Sequence, residues 1–279
     1  TQGYSSAASY VYKRQVLMSV YYKEQALYLK EALDSIWLNQ ILKPDQIVLV
    51  EDGPLTPELY EVIDEFQKEV GNVLTLVKNE TNQGLAKALN KGIGFIRTDL
   101  IARMDSDDIS DKRRFVYEIE YMDKHPDVMI LGGSIQEMDE NKNFLSQRHY
   151  PKMYEEVRKY IWRGSPVAHP TTVMRKCIFQ SLSYNEKVGQ NEDLALWFNA
   201  LEKGIKIENI EEVVYYFRMS SGCYKRRSKK KAWKEFEIFI KGLWNLYGFS
   251  FKYIYPCARL VFRLCPYSCL LYTSDAADE

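Results

Sequence analysis

The chain has 279 residues, 27% of them charged and 46% hydrophobic, the balance of a water-facing globular protein with material for a large core. Its 38 basic and 38 acidic residues cancel, which argues against nucleic acid as the main partner, and no charge-free apolar stretch reaches the length of a membrane span. The three histidines, His125, His149 and His169, are scattered and no cysteine pair has metal-type spacing, which argues against a zinc site and for free thiols in the cytoplasm.

Residues 5–15 (SSAASYVYKRQ) and 269–279 (CLLYTSDAADE) resemble translated sequencing-adapter DNA. Residues 1–15 and 269–279 are therefore set aside as tails, and the natural chain is expected to be cut at both ends. In what remains, 16–21 (VLMSVY) reads as a strand and 26–38 as a helix with Leu29, Leu33 and Ile36 at helical spacing. Residues 46–50 (QIVLV) form the next strand. The spacing then predicts a helix over 57–70, opened by Thr56 as N-cap with Pro57 in the first position. Strand 74–77, helix 85–96 and strand 100–104 continue the alternation.

Strands that are nearly continuous in apolar residues and alternate with helices predict a parallel sheet covered on both faces. Ligands bind at the carboxyl ends of such strands. Two acidic clusters fall there, VEDG at 50–53 and DSDD at 105–108. A helix over 111–124, with Phe115, Ile119 and Met122 on one side, and a strand over 128–138 follow. From residue 150 onward, short helices and irregular pieces are expected, as in a half that binds a second, variable substrate.

A strand ending in D-x-D offers two carboxylates that can share a hard divalent cation, whose remaining positions go to substrate phosphates. Taken alone, DSDD is as well read as the N-cap of the helix near Asp111. VEDG can hold a nucleotide base or ribose, or be only the turn that Gly53 and Pro54 make. NQGLAKALN, at 82–90, places Gly84 before a helix and Lys87 one turn inside it, where an ammonium can reach phosphate; a solvated lysine is the plainer reading of Lys87. In NEDLALWFNAL, Glu192 and Asp193 open a helix whose Leu194, Trp197, Phe198 and Leu201 form an apolar face. The pair either complements the helix dipole or supplies a general base.

The ordered set VLMSVYYKE, VEDGPLT, NQGLAKALNKGI, RMDSDD, HPTTVMRK and NEDLALW resembles family 2 glycosyltransferases, especially the bacterial capsule and exopolysaccharide branch of amylovoran type. The resemblance covers residues 16–218. It implies the GT-A nucleotide-diphospho-sugar transferase fold, an α/β fold with a Rossmann-like, mostly parallel sheet. A nucleotide-sugar-binding half would span 16–110 and an acceptor half 111–218. It also implies that Val20, Tyr21, Glu51, Asp52, Asn82, Gly84, Lys87, Asp105, Ser106 and Arg218 serve the nucleotide sugar. Asp105 and Asp107 would hold Mn²⁺ or Mg²⁺, Asp193 beside Glu192 would be the base, and His169 would either border the acceptor or make a structural hydrogen bond through its imidazole. EDGP stands where the family has D-D-G-S, and SVYY where it has P-V-Y-N.

The implied activity is an inverting transfer from a nucleotide-diphospho-sugar donor, of UDP type, to a saccharide or lipid-linked oligosaccharide acceptor. A nucleotidyltransferase would need a Gly- and Arg-rich phosphate loop after the first strand, which SVYYKEQ lacks; a non-catalytic sugar-nucleotide-binding protein is the other alternative. Residues 219–268 form a basic and aromatic extension. KRRSKKK, at 225–231, is either a solvated loop or an attractor of anionic headgroups. FSFKYIYPCARLVFRLCPYS, at 249–268, is either an interfacial helix at the cytoplasmic face of the inner membrane or a segment packed on the catalytic domain.

Overall fold

The computed structural model describes residues 13–189, 191–219 and 229–264. Strands β1 (Arg14–Val20), β2 (Gln46–Glu51), β3 (Leu74–Lys78) and β4 (Leu100–Met104) alternate with helices α1 (Ala26–Ile36), α2 (Pro57–Val70) and α3 (Leu85–Ile93). All four strands are parallel, in the order β3, β2, β1, β4. Every residue of β2 and β4 is buried, as expected of mostly apolar strands covered on both faces. Thr56 caps α2 as expected, its hydroxyl accepting from the Leu59 N–H.

β1 begins at Arg14, so residues 14 and 15 belong to the sheet and the tail boundary at 15 falls inside a strand. Gln15 is buried, and its Oε1 accepts from the backbone N–H groups of Arg97 and Thr98. α3 stops at Ile93 rather than Ile96, and α4 (Arg114–Lys124) starts three residues after Asp111, whose carboxylate accepts from the Arg113 N–H.

Beyond β4 the sheet becomes mixed. The short β5 (Ile109–Ser110) precedes α4, and β6 (Ile130–Met138) is followed by β7 (Phe144–Arg148), α5 (Tyr154–Tyr160), β8 (Val173–Arg175), α6 (Glu192–Glu202) and β9 (Ile207–Arg218). β8 lies antiparallel between β4 and β6, whereas β9 runs parallel to β6 and antiparallel to β5. Short helices and irregular pieces do follow residue 150, α5 and the single turns over 161–163, 169–171 and 176–180 among them, but the twelve-residue β9, the long α7 (Lys229–Tyr247) and α8 (Ile254–Leu264) stand there as well. β9 escapes a reading by apolar runs because acidic residues interrupt it.

One core cluster joins α1, α2 and α4 to one face of the sheet through residues such as Leu33, Ile63 and Phe115. The other joins α3, α5, α6 and α7 to the opposite face through Leu89, Val157, Trp197 and Phe239. Phe239 and Leu243 fix α7 on this second face, each burial contributing about 1.5–3 kcal/mol. In register, Val20 of β1 pairs Glu51 of β2, and Met18 pairs Met104 of β4. The carboxyl ends therefore align, and the segments leaving β1, β2 and β4 open on one cleft.

Candidate active site

The cleft has a volume of about 590 Å³. Of the sequence-predicted residues, Tyr21, Asp52, Asn82, Gly84, Lys87, Asp105, Ser106, Asp107 and Glu192 line it. Asp52 organises its floor. One carboxylate oxygen accepts from Asn79 Nδ2 and the Gln83 N–H, both at 2.9 Å, and the other accepts from the Gly84 N–H at 2.8 Å. The loop ahead of α3 is thus bound to the end of β2. Gly53 makes this approach possible: it sits at φ +91°, and a Cβ there would stand 2.5 Å from the Asn82 nitrogen.

The acids after β4 cap no helix. Among the described residues, Asp105, Asp107 and Asp108 form the one cluster of three that could hold a metal ion, with one oxygen from each within 4.8 Å of the others. Asp108 is buried; one oxygen accepts from the Arg218 N–H at 2.6 Å and the other has no partner. Burial first, then the charges of Asp105 and Glu24, pushes the Asp107 carboxyl up to about 7, and burial with its acidic neighbours raises Asp108 well above the usual range. An all-oxygen donor set with an orphaned buried oxygen and two reluctantly ionised carboxyls fits a hard divalent cation such as Mn²⁺ or Mg²⁺.

Two contributors to this cluster escaped the sequence reading. Glu24 lines the cleft, and its Oε2 accepts from the Ser106 hydroxyl at 2.9 Å. Arg103, 2% exposed, pairs with Asp105, while its Nε and one terminal nitrogen have no partner. A charged residue in the middle of LIARM is the available signal for Arg103. For Glu24 it is only the polar end of VYYKE.

Across the cleft, Glu192 opens α6. Burial first, then the neighbouring Asp193, lifts its carboxyl to about 7, and one of its oxygens is buried without a partner. Asp193 is half-buried and also raised, burial being the main cause, but it does not line the cleft. The cleft therefore combines a reluctant carboxylate at Glu192, able to take a proton, with an acid cluster able to hold a cation. The backbone start of α3 and Lys87 lie at the floor.

Besides Asp193, four expected site residues lie outside the cleft. Val20 is fully buried, and its carbonyl accepts from the Asp52 N–H. Glu51 is buried and pairs with Lys78 at 3.4 Å. His169 is buried, sharing a hydrogen bond of 2.8 Å with the Tyr184 hydroxyl and meeting Trp197 edge-on, which is the structural role open to it in the sequence. Burial lowers its pKa well below the usual imidazole value. Arg218 stands behind the acid cluster: its guanidinium donates to the Asp107 carbonyl and to Glu31, and lies 4.0 Å from the Tyr28 ring centre. The resemblance also likens the stretch after Arg218 to a mobile loop that closes over the diphosphate; residues 220–228 of that stretch, with most of KRRSKKK, lie outside the described residues.

A family model described as "Glycosyl transferase family 2" matches residues 16–182. The chain is 34% identical over 215 residues to an Escherichia coli "UDP-Gal:alpha-D-GlcNAc-diphosphoundecaprenol beta-1,3-galactosyltransferase", covering 77% of each chain. It is 31% identical over 272 residues to the amylovoran biosynthesis glycosyltransferase AmsE of Erwinia amylovora, covering 93% of this chain and 98% of that one. Its fold matches the mannosyltransferase PcManGT from Pyrobaculum calidifontis, solved with GDP-Man and Mn²⁺, at a TM-score of 0.65 and 16% identity, covering 95% of this chain and 80% of that one.

Proposed function

The chain belongs to glycosyl transferase family 2, and we propose that it transfers a sugar, with inversion, from a UDP-sugar to a saccharide or lipid-linked saccharide during bacterial surface-polysaccharide synthesis. The observation that carries this reading is that Asp105, Asp107 and Glu192 line one cleft, with Asp108 completing the acid cluster. The family and the 34% identical relative named for a UDP-Gal donor and a diphosphoundecaprenol-linked acceptor support the substrate class.

Asp105 and Asp107, with Asp108 behind them, would hold Mn²⁺ or Mg²⁺ against the donor diphosphate. When bound, the ion offsets the charge that develops on the leaving phosphate. Asp52 keeps the loop before α3 tied to the end of β2, and the N-terminal end of α3 with Lys87, which lines the cleft, would meet the phosphates. Proton removal from the acceptor hydroxyl falls to the pair opening α6. Asp193 holds the family's base position, and Glu192 stands on the cleft wall beside it. Attack from that wall, opposite the departing diphosphate, inverts the anomeric carbon without a covalent intermediate. A lipid-linked acceptor places the enzyme at the cytoplasmic face of the inner membrane.

A screen of UDP-, GDP- and dTDP-sugars with Mn²⁺ and an undecaprenyl-diphosphate-type saccharide acceptor tests the proposal. UDP release coupled to acceptor elongation is expected, with a product of inverted anomeric configuration. Retained configuration, or nucleotide transfer in place of sugar transfer, overturns it.

A further inference from the structure

α8 is built inside out. A surface helix of a globular protein ordinarily turns apolar residues inward and charged ones to water. In α8 the two arginines face the protein: Arg259 Nε donates to Glu235 of α7 at 3.1 Å, and Arg263 pairs with the other oxygen of the same carboxylate. Glu235 is only 8% exposed, so this double pairing fixes the rotation of α8 about its axis. The outward side carries Ile254 at 70%, Val261 at 63% and Phe262 at 53% exposure. Immediately before the helix, Phe249 and Phe251 are 96% and 73% exposed. Rolling α8 over to hide this face would carry both arginines away from Glu235 and leave a buried carboxylate unpaired.

Charge identifies what covers the face. Arg263, at the end of α8, meets Glu235, near the start of α7, so the two helices run antiparallel. The exposed Lys229 and Lys230 at the start of α7 therefore flank one end of the apolar face, and Lys252 flanks the other. Apolar surface between basic ends matches the boundary of acyl chains and anionic headgroups. With eleven residues, α8 is about 16 Å long, half the thickness of a hydrocarbon core, so it would lie in the interface and not cross it. In a symmetric pair of copies the same patch faces itself, which favours a bilayer over lysines set against lysines.

We propose that the outward face of α8, with Phe249 and Phe251, docks the protein on an anionic phospholipid bilayer. The docking rests on the membrane location proposed above, and the test keeps the two apart. The full chain is mixed with phosphatidylcholine vesicles, with and without 30% phosphatidylglycerol as a chosen composition of about that value, and bound protein is measured by flotation. Turnover on a water-soluble acceptor is measured in parallel. Binding to the anionic vesicles is expected. The V261E/F262E double substitution should weaken it at least tenfold, about one tenfold step per 1.4 kcal/mol, with turnover unchanged. Phe249→Glu, at a residue nearly free of contacts, should weaken it in the same direction and serves if the double variant does not fold. Wild-type protein that stays off both kinds of vesicle, or variants that bind as well as wild type, overturns the proposal. So does a concentration-dependent dimer abolished by the same substitutions without any vesicle binding. Loss of turnover with vesicle binding intact would instead count against the transferase reading alone.

Discussion

Arg103 and Asp105 leave β4 on the same side, two residues apart, and form an ion pair in which the arginine is buried and the aspartate is 29% exposed at the cleft. The arginine thus supplies fixed positive charge beneath an acid cluster that would otherwise repel itself. It also lowers the carboxyls of Asp107, Glu192 and Asp193 against the burial that raises them.

Removing that guanidinium should destabilise the protein. Arg103→Met is expected to cost roughly 3 kcal/mol, the low end for breaking a buried pair because Asp105 reaches solvent. Urea denaturation of the metal-free protein measures the loss. An unchanged midpoint would mean that the pair contributes nothing to the fold.

Stability of the metal-free protein should fall as pH rises from about 4.5 to about 7. Asp107 and Glu192 keep their protons up to about 7 when folded, whereas unfolded carboxyls release theirs near about 4. The folded chain therefore binds more protons across that window, and deprotonation favours unfolding. Mn²⁺ should flatten the decline, because it binds the deprotonated cluster. Thermal melts at several pH values with and without the ion show either pattern, and a flat metal-free profile would contradict the raised acids.

The proton acceptor should be separable from donor binding. Asp193→Asn is expected to lower kcat by about 10²- to 10⁴-fold while UDP binding, followed by calorimetry, is retained. In the wild type, kcat/KM should fall as pH drops through about 7, where Glu192 takes up its proton. Full turnover by the asparagine variant would remove Asp193 from this role.

Asp52 and Gly53 hold the loop before α3 against the end of β2, so substitutions there are expected to reach the donor through that loop. Asp52→Asn loses carboxylate acceptors for backbone N–H groups, about 1.5–3 kcal/mol for a charged hydrogen bond, and should raise the donor KM more than it lowers kcat. Gly53→Ala must push the Asn82 backbone aside from 2.5 Å and should weaken UDP binding at least as much. Equal donor KM values in all three proteins would show that the loop is not part of the site.

The first hundred residues were legible because their physics is local. β2 is built on the apolar run IVLV and β4 is apolar but for Arg103, Thr56 and Pro57 announce α2, and the acids fall where parallel strands end. β9 was not legible. Its Glu211 and Glu212 are exposed and break the apolar pattern, while its pairing with β6 and β5 joins residues far apart in the chain, such as Ile130 with Ile207 and Ser110 with Tyr215. The site shows the same division. Motif spacing pointed to Asp52, Asp105, Asp107 and Glu192, all on the cleft. It could not show that Glu51 pairs sideways with Lys78, that His169 turns into the core against Tyr184, or that Arg103 underlies the acids. Each of those depends on which neighbour the fold delivers.

The pairing of β9 bears on how such enzymes change specificity. Tyr215 and Tyr216 add β9 to Ser110 and Ile109, and the Arg218 amide binds Asp108, so the last strand of the second half completes the acid cluster of the first. A chimera joined at residue 110 would import a foreign wall into its own donor pocket. Exchange of acceptor preference by recombination is therefore expected to succeed only when crossovers carry β5 and β9 together.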